Sequence, residues 1–143
     1  MRFLPNPIYR KNGCCRGRFY ATINSEYRIN PPKDAQEVWT YYGHQLFLIY
    51  NHPYLRGALI ICPKCSESIL QETIHTEIEK HPDYKDSLEY MIDDGHNKRV
   101  ESRCRIKINK TDCLIYGVQS GDLLEFRGAF RWYEVIIKRH NVK

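Results

Sequence analysis

The stretch from Arg105 to Gly128, RIKINKTDCLIYGVQSGDLLEFRG, limits the fold more than any other part of the chain. Ile106 and Ile108 alternate with Arg105, Lys107 and Asn109, so a strand here carries one apolar face and one basic face. Gly117 and Gly121 suit unusual backbone dihedrals, Asp122 adds a turn former, and Leu124 and Phe126 then alternate with Glu125 and Arg127. WYEVIIKR supplies a closing strand. A strand, a bridge, a Gly-Asp turn and two further strands predict a small barrel-like β-hairpin unit over 96–143. Its basic edge would be the face of Arg103, Arg105, Lys107 and Lys110, with Arg127, Arg131, Lys138 and Arg139 on neighbouring strands.

Upstream, GRFYATIN (17–24) is rich in aromatic and β-branched residues and reads as a strand, and the prolines of NPPKD make the following segment a loop. EVWTYYGHQLFLIY (37–50) has two strand-like halves about Gly43, and GALIIC (57–62) follows a turn-like NHPYLRG; together they predict an antiparallel meander. Ser68 and Gln71 have the form of a capping box, and Leu70, Ile74 and Ile78 recur every four residues, which predicts a helix over 68–80. Pro82 and Asp83 open a second amphipathic segment with Tyr84, Leu88, Met91 and Ile92 on one face, closed by Gly95. The two helices form a hairpin against the sheet in this reading. DDGHNKR (93–99) is the best internal boundary. The chain after it reads as strand.

The fold class expected is therefore α+β: an antiparallel meander plus a helical hairpin over 1–95, then the β-rich unit over 96–143, either separate or integrated with the first. A chain of 143 residues is long enough for one compact domain with a core of its own. The start lacks a long apolar segment before its prolines, and the longest apolar runs, LFLIY and ALII, are too short to cross a bilayer. An intracellular protein with no membrane partner is expected, in the cytoplasm or associated with a nucleoid. In a reducing compartment its 6 cysteines are thiols or metal ligands in preference to disulfides.

Cys62 and Cys65 have the C-x-x-C spacing of a zinc knuckle, in which two thiolates take adjacent tetrahedral corners. Two more ligands are needed, and His75 and His81 offer an H-x5-H pair. One structural zinc ion is the cofactor this implies. Cys14 and Cys15 are rival partners, and the alternative is that Cys62 ends a buried strand while Cys104 and Cys113 pack as small apolar groups. Both readings stand at this level.

No phosphate-cradling glycine loop, metalloprotease helix or nucleophile elbow is present, so no catalytic residue is assigned. His75, Glu77 and Glu79 on the first helix read as a solvated face. A metal-dependent enzyme acting on nucleic acid could draw on Asp34, Glu37, Asp93, Asp94 and Asp122, although no spacing singles them out.

The run RCRIKIN, a short bridge, YGVQSGDLLEF and YEVIIKR resembles the swapped-hairpin domain of the AbrB family of DNA-binding regulators. Arg105 falls on that family's Arg, Ile108 and Asn109 on its Ile-Pro, and Gly117, Val118, Gly121 and Asp122 on its Gly-Asp turn. Cys104 stands where the family has Gly, and Asn109 where it has Pro. The resemblance implies a short helical segment before the turn, a homodimer of interleaved hairpins, and Arg105 with nearby basic residues presented to DNA. DCLIYGVQSGDLLEFRG with WYEVI is also similar to the C-terminal assembly domain of the fifth-largest subunit class of archaeal and eukaryotic RNA polymerases. Both resemblances lie near transcription.

The formal charge of +5 favours an anionic partner. The expected function is that of a small basic nucleic-acid-binding or transcription-associated regulatory protein, with nucleic acid or a transcription-machinery protein as partner. A protein-binding effector, of viral or mobile-element type or polymerase-associated, is the alternative, and the metal-dependent enzyme a third. WTYY and RWY interleave rings with basic or polar groups, which suits base stacking, a protein interface or core packing.

Overall fold

A computed structural model describes residues 4–5, 15, 17–29, 46–93, 98–102, 105–129 and 131–138, with the backbone alone for Leu46, Cys65, Ile92, Asp93, 98–102 and Arg105. The fold is α+β. Among the described residues eight strands form one sheet: β1 (Arg18–Thr22), β2 (Arg28–Ile29), β3 (Leu46–Asn51), β4 (Ala58–Pro63), β5 (Lys98–Ser102), β6 (Arg105–Lys107), β7 (Leu123–Gly128) and β8 (Tyr133–Lys138). Among the described residues three α-helices accompany it: α1 (Glu67–Lys80), α2 (Lys85–Asp93) and α3 (Lys110–Tyr116).

The strand order is β1-β7-β8-β4-β3-β5-β6-β2, and every pairing is antiparallel. β8 hydrogen-bonds to β4 as well as to β7, so strands from both sides of the expected boundary share one sheet. The two end strands approach each other through a single bridge, Ile23 to Ile29. That is no closed barrel: one bridge is not a ladder. The sheet nevertheless curls enough that described residues of β1, β2, β3, β4, β6, β7 and β8 meet on its concave side.

The period of two explains how. Phe47 and Ile49, Leu59 and Ile61, Leu124 and Phe126, and Tyr133 and Val135 all point inward, where they join Ala21, Ile23, Ile29, Ile106, Ile108, Cys113, Tyr116 and Val118 in one buried cluster. Phe19 and Phe126 stack at 4.6 Å between ring centroids, from directly paired positions. The alternate residues of β3 and β4, Leu48, Tyr50, Ile60 and Cys62, face outward but are covered by Leu70 and Ile74 of α1 and Leu88 and Met91 of α2. Trp132 completes this second core and is fully buried. β4 is therefore buried along its whole length, which is why GALIIC reads as an unbroken apolar run rather than an alternating one.

Three expectations need correction. Ser68 does not cap α1: the helix starts at Glu67 after a 3-10 turn (Lys64–Ser66), its cap is Ser66, and that residue makes no side-chain capping bond. Pro63 and the turn it opens begin the helical geometry earlier than the Ser-x-x-Gln spacing indicates. The chain after the boundary is not all strand, because α3 occupies Lys110–Tyr116. Its sequence, KTDCLIY, is too short for helical periodicity to register, yet Cys113 and Tyr116 lie three apart and both are buried. Finally, β6 and β7 are not neighbours; α3 carries the chain away from β6, and β7 pairs with β1 and β8.

α3 ends as its sequence requires. Gly117 sits at φ +69°, the left-handed C-cap, and Val118 N–H donates to the Cys113 carbonyl at 3.0 Å. Gly121 is also left-handed, at φ +92°. Asp122 is buried and its Oδ2 accepts from Gln119 N–H at 2.9 Å, while Gly121 N–H donates to the Ile23 carbonyl at 2.8 Å. Ile23 N–H donates in return to the Asp122 carbonyl at 3.1 Å. The Gly-Asp turn thus closes itself with a carboxylate and docks on the end of β1.

Gly43, Gly95, Trp39 and the NPPKD loop lie outside the described residues.

Candidate functional site

The outer face of β1, β7 and β8 carries no helix among the described residues, and its composition follows from alternation. With Phe19, Ala21 and Ile23 inward, Arg18, Tyr20 and Thr22 of β1 turn outward. Arg18 pairs in register with Arg127, Tyr20 with Glu125, and Thr22 with Leu123. On the other side of β7, Glu125 pairs with Ile136 and Leu123 with Lys138.

Glu125 is the centre of this face. It is fully buried, and three cations surround its carboxylate: Arg18 Nε at 2.5 Å, Arg127 Nε at 2.9 Å and Lys138 Nζ at 3.3 Å. Burial pushes the carboxyl up, but hydrogen bonds from Arg127 and Lys138 and the charges of Arg127 and Arg18 outweigh it and hold the group below the usual carboxylate range. The same contact, with a smaller contribution from Tyr20, holds the Arg18 guanidinium more firmly protonated. Three cations around Glu125 leave two positive charges, and Glu134, opposite Arg127 in register on the same face, offsets one of them.

The cations reach solvent while their anion does not. The side chains of Arg18, Lys138 and Arg127 are 58, 49 and 34% exposed. Glu125 acts as an internal anchor that fixes where these charges sit. Tyr20 stands above it, about half exposed, with its hydroxyl 3.4 Å from Arg18 Nη2.

The expected basic residues divide into two groups. Arg127 and Lys138 belong to this face; Lys107 and Lys110 are exposed at the other end of the strand order, where Lys107 pairs in register with Arg28. Arg105 lies on β6 beside them by backbone position. The two ends of the strand order are joined at the Ile23–Ile29 bridge. Arg131 is half-buried in the turn between β7 and β8. Arg103 and Arg139 lie outside the described residues. Arg18 and Tyr20 were absent from the expected site, although the alternation of GRFYATIN already puts them on one face.

The ring-rich motifs resolve differently from base-stacking platforms. Trp132 and Tyr133 are both fully buried, Trp132 under the helices and Tyr133 in the concave core, so RWY is core. WTYY lies outside the described residues.

The expected zinc ligands fall on β4, the 3-10 turn and α1. Cys62 is buried at the end of β4, and its Sγ donates to the Pro63 carbonyl at 3.3 Å and the Arg131 carbonyl at 3.9 Å. Cys65 follows in the 3-10 turn. His75 is exposed on α1, whereas His81 caps that helix with Nε2 3.8 Å from Glu77 Oε1. Among the described residues no three His, Cys, Asp or Glu side chains come together to hold a metal. Of the scattered acidic candidates, Asp122 serves its own turn; Asp34, Glu37 and Asp94 lie outside the described residues.

A second polar cluster is structural in its geometry. His52 Nδ1 accepts from Tyr54 and Leu55 N–H at 3.1 and 3.2 Å, which leaves the proton on Nε2 to donate to Glu134 Oε1 at 2.9 Å. The same oxygen accepts from Leu4 N–H at 2.9 Å. Tyr54 then donates to Glu77 Oε1 at 2.6 Å, which ties the β3–β4 turn to α1.

No helix among the described residues is long and apolar enough to cross a membrane. No family model matches the chain, and no curated protein matches it.

Proposed function

We propose that this protein binds nucleic acid through the outer face of β1, β7 and β8, as a small regulatory or transcription-associated factor. The observation that carries the reading is the Glu125 cluster: a buried carboxylate that orients three cations and neutralises only one of them. Oriented guanidinium and ammonium groups with positive charge in excess offer phosphate oxygens ready partners, and phosphate contacts supply affinity without sequence readout. The strand, helix and Gly-Asp turn over 105–123 follow the order of the swapped-hairpin regulators, which supports the regulatory part of the proposal.

Fluorescence anisotropy with labelled DNA and RNA across a salt series tests it. With two or three phosphates engaged, the log-log salt slope is about −2 to −3. Lys138→Ala reduces the slope by about 1. Absence of binding at low salt refutes the proposal.

A second reading, a protein-binding module, is favoured by one feature. Leu114 and Ile115 on α3 are 84 and 49% exposed, an unusual pair of bare aliphatics on so short a helix. Association through them would be insensitive to salt.

A further inference from the structure

We infer that the β1–β7–β8 face takes single-stranded nucleic acid in preference to duplex, with Tyr20 as the platform on which a base stacks; this rests on the nucleic-acid reading above. Four large apolar side chains are exposed among the described residues, Tyr20, Tyr90, Leu114 and Ile115, and Tyr20 is the one set among the cations. It is flanked along its own strand by Arg18, and its paired position across the sheet is Glu125, the anchor of all three cations. A ring in this place has a basic neighbour within 3.4 Å of its hydroxyl and a half-exposed surface.

Phosphates and bases alternate along a strand of nucleic acid. A phosphate held by Arg18 or Lys138 brings an adjoining base over the Tyr20 ring, provided that the base is free to leave its own stack. Bases in a duplex are already stacked and paired, so their faces are closed to the ring, while those of a single strand are open. The face therefore distinguishes the two polymers through the ring and attracts both through the cations.

The experiment compares a labelled homopolymeric DNA strand of roughly 12 nucleotides, within the length that single-strand platforms engage, with a duplex of equal length. The proteins are the wild-type chain, Tyr20→Ala and Tyr20→Phe. The inference expects tighter binding to the strand by the wild-type chain, a loss of roughly 5- to 150-fold on the strand for Tyr20→Ala, and retention for Tyr20→Phe. Duplex affinity should be equal in all three. Circular dichroism melting of each variant checks that the fold is kept, which a half-exposed position permits. If Tyr20→Ala binds the strand as tightly as wild type while salt-dependent binding persists, the stacking inference fails and the nucleic-acid reading stands. If neither polymer binds any of the proteins at low salt, both fail.

Discussion

Replacement of Glu125 by Gln removes the anion from the centre of the basic face and keeps its shape. The carboxylate is fully buried and accepts from Arg127 Nε, with Arg18 and Lys138 alongside as ion pairs. A hydrogen bond to a charged group contributes about 1.5–3 kcal/mol, and leaving a buried charge unpaired costs about 3–5 kcal/mol. The second figure is too large here, because the cations left behind are each at least one-third exposed and rehydrate. Gln also retains one acceptor oxygen. A loss of roughly 1.5–3 kcal/mol at neutral pH follows, with nothing assigned to Arg18, the most exposed partner. Against a total stability of about 5–15 kcal/mol, that shifts a urea midpoint clearly.

The pH dependence is sharper than the magnitude. The folded-state carboxyl lies below its unfolded value, so its contribution is complete above about 4.3, where the unfolded group is ionised. It declines as the pH falls through the lowered folded value, because the unfolded chain then takes up a proton that the folded chain resists. Urea midpoints for the wild-type chain and Glu125→Gln should therefore differ at neutral pH and converge in acid. A gap that stays constant down to about pH 3, or one below about 0.5 kcal/mol at neutral pH, would refute the reasoning that Glu125 is an ionised anchor.

His52→Ala strands the Tyr54 and Leu55 amides and leaves Glu134 with the Leu4 amide alone; a loss of about 2–4 kcal/mol in urea titration is expected, and one under about 1 would show that water replaces the ring. Gly117→Ala meets open space but must hold a left-handed φ of +69°, so about 1–2 kcal/mol is lost through the backbone alone, measured the same way.

Much of the sheet was legible because alternation survives burial on one side only. β1, β7 and β8 each show it, and the Gly117 and Gly121 dihedrals were readable because few residues other than glycine tolerate them. β2 was not legible, having only two residues, and α3 was hidden by its length. The candidate site was half legible. Arg127 and Lys138 announced themselves as basic residues on strands, but their shared partner Glu125 looked like an ordinary outward carboxylate. Its role depends on β1 lying beside β7, a pairing between residues more than a hundred positions apart, and no local pattern encodes it.

That long-range pairing also explains why charge is concentrated where it is. The Gly-Asp turn fixes β1 to the start of β7 through the paired Ile23 and Asp122 and Gly121 bonds, and the register that results places Arg18 opposite Arg127. Two like charges directly across a ladder repel each other, and such a pair is destabilising unless an anion intervenes. Glu125, two residues along β7 from Arg127 and therefore on the same face, is that anion, within 2.5 Å of Arg18 and 2.9 Å of Arg127. The turn, the register and the buried carboxylate thus form one arrangement: the first two bring the arginines together, and the third makes their proximity stable while leaving positive charge exposed around it.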